Sequence, residues 1–105
     1  MPALTAPAAP SAVDQPTGNQ LLSALAAGDD AAWQTTVRRY ERLLRSSARG
    51  VLRNDADVDE AVQRTWVLLL RNAGRIHDAE ALPGWLATTA RREAWIVARR
   101  SRRTC

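Results

Sequence analysis

Three residues near the end of the chain, Arg91, Trp95 and Arg99, carry the most specific chemistry in this sequence. On a helix they form one i, i+4, i+8 row. At 100° per residue, Thr88, Arg92 and Arg102 fall within the same arc of roughly 100°. An indole flanked by guanidiniums suits a nucleobase stacked on the ring while its phosphates meet the arginines. The plainer use of such a Trp is packing against a neighbouring helix or lying beneath Arg stems. A second row, Asp59, Gln63, Trp66 and Leu70, also has helical spacing. Facing solvent, it would be a set of apolar anchors rimmed by acids, suited to a basic protein partner. Turned inward, Trp66 and Leu70 simply widen the core.

Catalytic chemistry is harder to find. No nucleophile has a base near it, and there is neither a Gly-rich phosphate loop nor an H-E-x-x-H pair. His77 is alone in a loop segment, and Asp57, Asp59 and Glu60 read as helix-start acids that suit the dipole rather than as an acid/base pair. One His and one Cys (Cys105, the last residue) exclude a His/Cys zinc site and any internal disulfide within one chain. The expectation is a protein that is not an enzyme and that needs no metal or cofactor.

With 105 residues the chain holds at most one domain, and 46% hydrophobic with 25% charged residues is ordinary globular composition. No apolar run approaches the roughly 20 residues of a membrane span, and the N-terminus lacks a secretory signal pattern. The expected setting is intracellular. Fifteen basic against eleven acidic residues give a net charge of +4, and the pI of about 10.9 suits a nucleic-acid binder. All fifteen basic residues are Arg, which base composition alone can produce, but guanidinium also pairs bidentately with phosphate. Residues 38–53 hold six Arg and one Glu, residues 55–60 hold four acids, and residues 91–103 hold six Arg and one Glu. Alternating blocks predict faces of different sign and two kinds of partner.

These residues need elements to position them. Residues 1–18 carry four of the five prolines and almost no charge, which predicts a disordered tail. Residues 19–105 read as wholly helical. A first helix starts near Asn19 as N-cap, packs Leu21, Leu22 and Leu25, and stops at Gly28. A second starts at Asp29 or Asp30, carries the apolar stripe Trp33, Val37, Tyr40, Leu44, Ala48 and Val51, and runs to about Arg53. Arg38, Arg42, Arg45 and Arg49 line its other side. A third is capped by Asp55 or Asp57, buries Val58, Val62, Thr65, Leu69 and Ala73, and is closed by Gly74. After a connection over 75–81, Leu82-Pro83 opens a fourth helix that buries Leu82, Trp85, Leu86, Thr89, Ala90, Ile96 and Val97. Glu93 falls on that buried side and requires an Arg partner if it is there. The fold expected is all-α, a compact bundle of about four helices.

Two segments resemble a known family. Asp57-Val58-Asp59-Glu60-Ala61-Val62-Gln63-Arg64-Thr65-Trp66 looks like the acidic, Gln-containing helix of bacterial sigma factors. Leu82-Pro83-Gly84-Trp85-Leu86-Ala87-Thr88-Thr89-Ala90-Arg91-Arg92-Glu93 resembles the W-L-x-x-x-A motif that follows in the same proteins. Together, over about residues 19–103, they are similar to the promoter-melting domain of the extracytoplasmic-function group of the sigma-70 family. The usual Glu-Asp pair before the Gln appears here as Asp59-Glu60. The family's second, −35-binding domain could begin only beyond Cys105, so the expectation is a truncated chain in preference to a lone domain.

The resemblance implies two surfaces. Asp59, Glu60, Gln63, Arg64, Trp66 and Leu70 correspond to positions that dock on the β′ clamp helices of core RNA polymerase. Arg75, His77, Asp78, Glu80 and Leu82 in the loop, with Thr88, Arg91, Arg92, Trp95 and Arg99 on the helix, correspond to positions that read the −10 element on the single-stranded nontemplate strand. An anti-sigma factor is a further implied partner, and a bacterial cytoplasmic location follows. Two other readings stay open on the residues alone. One is a protein–protein module that never touches DNA; the other is a regulator that reads duplex DNA with its last helix in a major groove.

Overall fold

The computed structural model describes residues 18–76 and 78–104. The proposed tail, except for Gly18, and His77 lie outside the described residues. Among the described residues there are four α-helices: α1 (Gly18–Ala26), α2 (Asp30–Arg49), α3 (Asp55–Asn72) and α4 (Leu82–Thr104). Short 3-10 turns occupy Ala73–Arg75 and Ala79–Ala81.

Local chemistry sets most boundaries. Gly28 has φ +84, and the bonds Gly28 N–H to Leu25 O and Asp29 N–H to Ala24 O, both 3.0 Å, close α1 in a Schellman motif. Asp29 then caps α2, its Oδ1 accepting from Ala31 N at 2.8 Å and Ala32 N at 3.2 Å. Four sequence expectations are corrected. Asn19 lies inside α1, whose described span is Gly18–Ala26, and so is not its N-cap. α2 ends at Arg49 with Gly50 as its C-cap, short of Arg53. The N-cap of α3 is Asn54, whose Oδ1 accepts from Ala56 N at 2.7 Å and Asp57 N at 3.3 Å, so Asp55 and Asp57 are first-turn acids. Finally, Gly74 sits within a right-handed 3-10 turn rather than ending α3 in a left-handed conformation.

Cross-helix pairs give the directions. Arg45–Asp59, Arg49–Asp55 and the Trp33–Trp66 contact run in opposite order on α2 and α3, so these helices are antiparallel. Arg64–Glu93, Glu60–Arg100 and Asp57–Ser101 do the same for α3 and α4. α2 and α4 therefore run parallel, and both pack on α3 and on each other. α1 closes one end, against α2 and the two 3-10 turns.

The core is Leu21, Leu22 and Leu25 of α1, Leu44 and Ala48 of α2, Val58, Ala61, Val62 and Leu69 of α3, and Leu82, Leu86, Ala90, Ala94 and Val97 of α4. Trp33, Tyr40, Val51 and Trp85 pack against it while staying partly exposed. The predicted stripes hold at these positions, whereas Val37 of the α2 stripe is only half-buried and outside the core cluster. Ile96, read as buried, is 37% exposed, because it stands at the border between the buried arc of α4 and its outward one. Two buried hydroxyls satisfy themselves within their helices: Thr36 donates to Ala32 O at 2.7 Å and Thr65 to Ala61 O at 2.8 Å.

Candidate nucleic-acid interface and docking groove

The outward face of α4 is laid down by its periodicity. Leu82, Leu86, Ala90, Ala94 and Val97 are held in the core, and this turns Thr88, Arg91, Arg92, Trp95 and Arg99 away from it. Trp95 is 50% exposed. It stands over an open hollow of about 580 Å³ lined by Thr88, Arg91, Arg92, Trp95, Ile96 and Arg99. Among the described residues, Arg91, Arg92 and Arg99 make no ion pair. Three guanidiniums with no acid to neutralise them, beside a ring with an open face, leave charge and stacking surface for a ligand. Ile96 is a lining residue that sequence reasoning placed in the core; its position beside Arg92 on the helical wheel was the available signal.

The loop before α4 contributes less. Arg75 and Glu80 are exposed, and Asp78 is exposed while its Oδ1 accepts from Glu80 N at 2.9 Å, ordering the turn at Ala79–Ala81. Leu82 is 1% exposed. That corrects its place among the DNA-facing residues: the side chain is needed in the core at the start of α4. His77 lies outside the described residues.

The acidic row on α3 divides in two. Its acids face the neighbouring helices: Asp59 pairs with Arg45, Glu60 with Arg100, and Asp55 with Arg49 at 2.8 Å. Asp57 accepts from Ser101 Oγ at 3.3 Å. Arg64 Nε donates to Glu93 Oε1 at 2.7 Å, and the Glu93 side chain is only 7% exposed. Glu93 thus has the Arg partner that its position demanded. Asp59, Glu60 and Arg64 are engaged within the molecule, and the acidic block is met by Arg45, Arg49 and Arg100 of the neighbouring helices. Arg38, Arg39 and Arg42, further up α2, stay exposed and without an ion pair among the described residues.

The other half of the row opens outward. Gln63 is exposed, Trp66 is half-buried, and Leu70 is 58% exposed beside Val67 at 46%. Trp66 meets Trp33 of α2 edge to face, with ring centroids 6.4 Å apart and planes at 83°. With Gly28, Asp30 and Gln63 these side chains line a largely apolar groove of about 400 Å³. Sequence reasoning took Trp33 for a core residue. Its contribution to a groove follows from the antiparallel crossing of α2 and α3, which no single-helix pattern reveals.

A family model described as Sigma-70 region 2 matches residues 36–104. Neither the curated proteins nor the solved structures yield a match to this chain. Domains of the matched family bind core RNA polymerase, recognise and melt the −10 promoter element, and are not themselves catalysts. The matched span takes in all of α3 and α4 and most of α2, well over half of the 105 residues, and the chain belongs to the sigma-70 region 2 family.

Proposed function

We propose that this chain is the promoter-melting domain of an extracytoplasmic-function sigma factor, working in the bacterial cytoplasm. The outward face of α4 grips the unpaired nontemplate strand of the −10 element, and the outward side of α3 docks on the β′ clamp helices of RNA polymerase. The observation that carries the reading is Trp95, half exposed among Arg91, Arg92 and Arg99 over an open hollow.

The mechanism is capture. A domain with no phosphate-binding loop has no hydrolysis to drive strand opening, so it must trap bases that have already left the stack. Extruding a base costs a few kcal/mol. Stacking on an aromatic ring returns about 1–3 kcal/mol per base, and Arg–phosphate contacts add a salt-dependent term. These are close to balance. The domain alone therefore holds duplex weakly and single strands better, and polymerase contacts supply the remainder. Arg75, His77, Asp78 and Glu80 sit ahead of α4 in the chain and are the proposed readers of base identity. Gln63, Trp66 and Leu70 are the proposed polymerase anchors; Asp59, Glu60 and Arg64 act chiefly by fixing α3 against α2 and α4. Residues 19–105 form the region 2 domain, and 1–18 its N-terminal tail.

The test compares binding to single-stranded and duplex oligonucleotides carrying the same −10 sequence. Preference for the nontemplate single strand, lost in Trp95→Ala, supports the reading. A strong duplex preference favours the major-groove alternative, and no binding to either leaves the protein–protein module, for which an anti-sigma factor is the natural partner.

A further inference from the structure

The groove between α2 and α3 has a chemistry of its own. Its walls are two indoles set edge to face, Trp33 and Trp66, flanked by Val67 and Leu70, with the amide of Gln63 at the rim. Neither indole N–H nor the Gln63 amide has a hydrogen-bond partner among the described residues. Apolar rings beside unused donors are what an extended, proline-rich strand requires. Polyproline II backbone has no internal hydrogen bonds, so its carbonyls accept from outside, and its proline rings pack on aromatic faces.

The sequence of the same chain offers a proline-rich run of that composition. Residues 1–17 contain Pro2, Pro7, Pro10 and Pro16, and Pro7-Ala8-Ala9-Pro10 is a P-x-x-P run with small apolar residues between. In a polyproline II helix, at three residues per turn, prolines spaced as Pro7 and Pro10 are would fall on one edge, about 9 Å apart. No side chain from Met1 to Val13 is charged, and Asp14 is the first acid, so nothing in the run opposes an apolar groove. Reach is not limiting. The segment joins α1 at Gly18, and Gly28, just past the other end of α1, lines the groove. α1 is nine residues, about 13 Å, whereas the eight-residue step from Pro10 to Gly18 can extend to about 26 Å. The family match starts at residue 36, leaving this run and the Gly28, Asp30 and Trp33 side of the groove outside it.

We propose that the Pro7–Pro10 run of this chain occupies its own Trp33–Trp66 groove. Where that groove is also the polymerase-docking side of α3, which rests on the function proposed above, the run competes with polymerase and restrains the domain until displaced. For a short flexible connection the effective concentration is on the order of 1 mM. An intrinsic affinity of about 0.3 mM then fills the groove about three-quarters of the time, and removing the run raises polymerase affinity about fourfold.

The test uses the full chain with Cys105→Ser and a nitroxide attached at Thr5→Cys, read through the four Trp indole N–H resonances. The proposal expects broadening of Trp33 and Trp66 with Trp95 spared, independent of protein concentration, and abolished by Pro7→Ala/Pro10→Ala. Equal sharpness of all four indoles overturns it. So does broadening that appears only when labelled chain is mixed with unlabelled chain, since that means a second copy fills the groove. A separate measurement compares core polymerase binding of the double-proline variant with that of the unaltered chain. An unchanged affinity alongside the expected broadening retains the in-chain docking and overturns the competition, locating polymerase contact elsewhere on α3.

Discussion

Arg64 and Glu93 illustrate how position decides the role of a charge. Glu93 is almost buried and Arg64 is the group that meets it, and a buried carboxylate stripped of its partner is costly. Arg64→Ala is expected to destabilise the domain by about 2 kcal/mol, lowered from the fully buried case because the guanidinium is partly solvated; urea unfolding measures it. A loss within about 0.5 kcal/mol, the range of an ordinary surface substitution, would show that Glu93 is held by something else. Trp95 predicts the opposite behaviour. Being half exposed, it can be replaced by Ala with little change in unfolding midpoint. Binding to a single-stranded −10 oligonucleotide should nonetheless fall by about 1–3 kcal/mol, the value of one stacked base. If Trp95→Ala unfolds the protein, the ring is structural and the gripping face has been misplaced.

At the scale of elements, caps and crossings matter more than propensity. Asn54 alone supplies the side-chain cap of α3, so Asn54→Ala should cost about 1 kcal/mol. Gly28→Ala has space for its Cβ, since nothing stands within 4 Å. Its cost comes from the left-handed backbone alone, about 1–2 kcal/mol. A thermal melt that left both variants unchanged would remove these boundaries from the account. The ion pairs Arg45–Asp59, Arg49–Asp55 and Arg100–Glu60 are solvent-accessible, each contributing about 0.2–1 kcal/mol, so they tune register more than they hold the fold. They also explain why the acidic row is not a bare acidic face. Gln63→Ala, on the outward side, should weaken polymerase association while sparing strand binding; an unaltered pull-down of the β′ clamp fragment would argue against that placement.

For the molecule as a whole, the central property is that one core supports two surfaces of different character. Leu86 is fully buried on α4 behind its outward Trp95 face, and Leu86→Ala should cost about 3–5 kcal/mol through the cavity it leaves. That change would impair both surfaces together, unlike Trp95→Ala or Gln63→Ala. The charge distribution gives a second whole-molecule expectation. Four phosphates held by Arg residues predict a log–log salt slope of about −3 on single strands. A slope near zero would mean that the unpaired arginines of α4 do not meet the backbone.

Much of this was legible in one dimension. Apolar spacing specified four helices and nearly every core position, because burial of one face imposes a 3.6-residue period wherever a helix packs. The same period turned Trp95 and its arginines away from the core before any tertiary contact was known, since a residue opposite a buried stripe has nowhere else to point. What spacing could not determine was which charges meet. Asp59, Glu60 and Arg64 meet Arg45, Arg100 and Glu93, and Trp33, while packing on the core as its stripe predicts, also meets Trp66 edge to face. Those pairings depend on the crossing and direction of helices distant in sequence, and that arrangement is decided only when the whole bundle closes around its shared apolar volume.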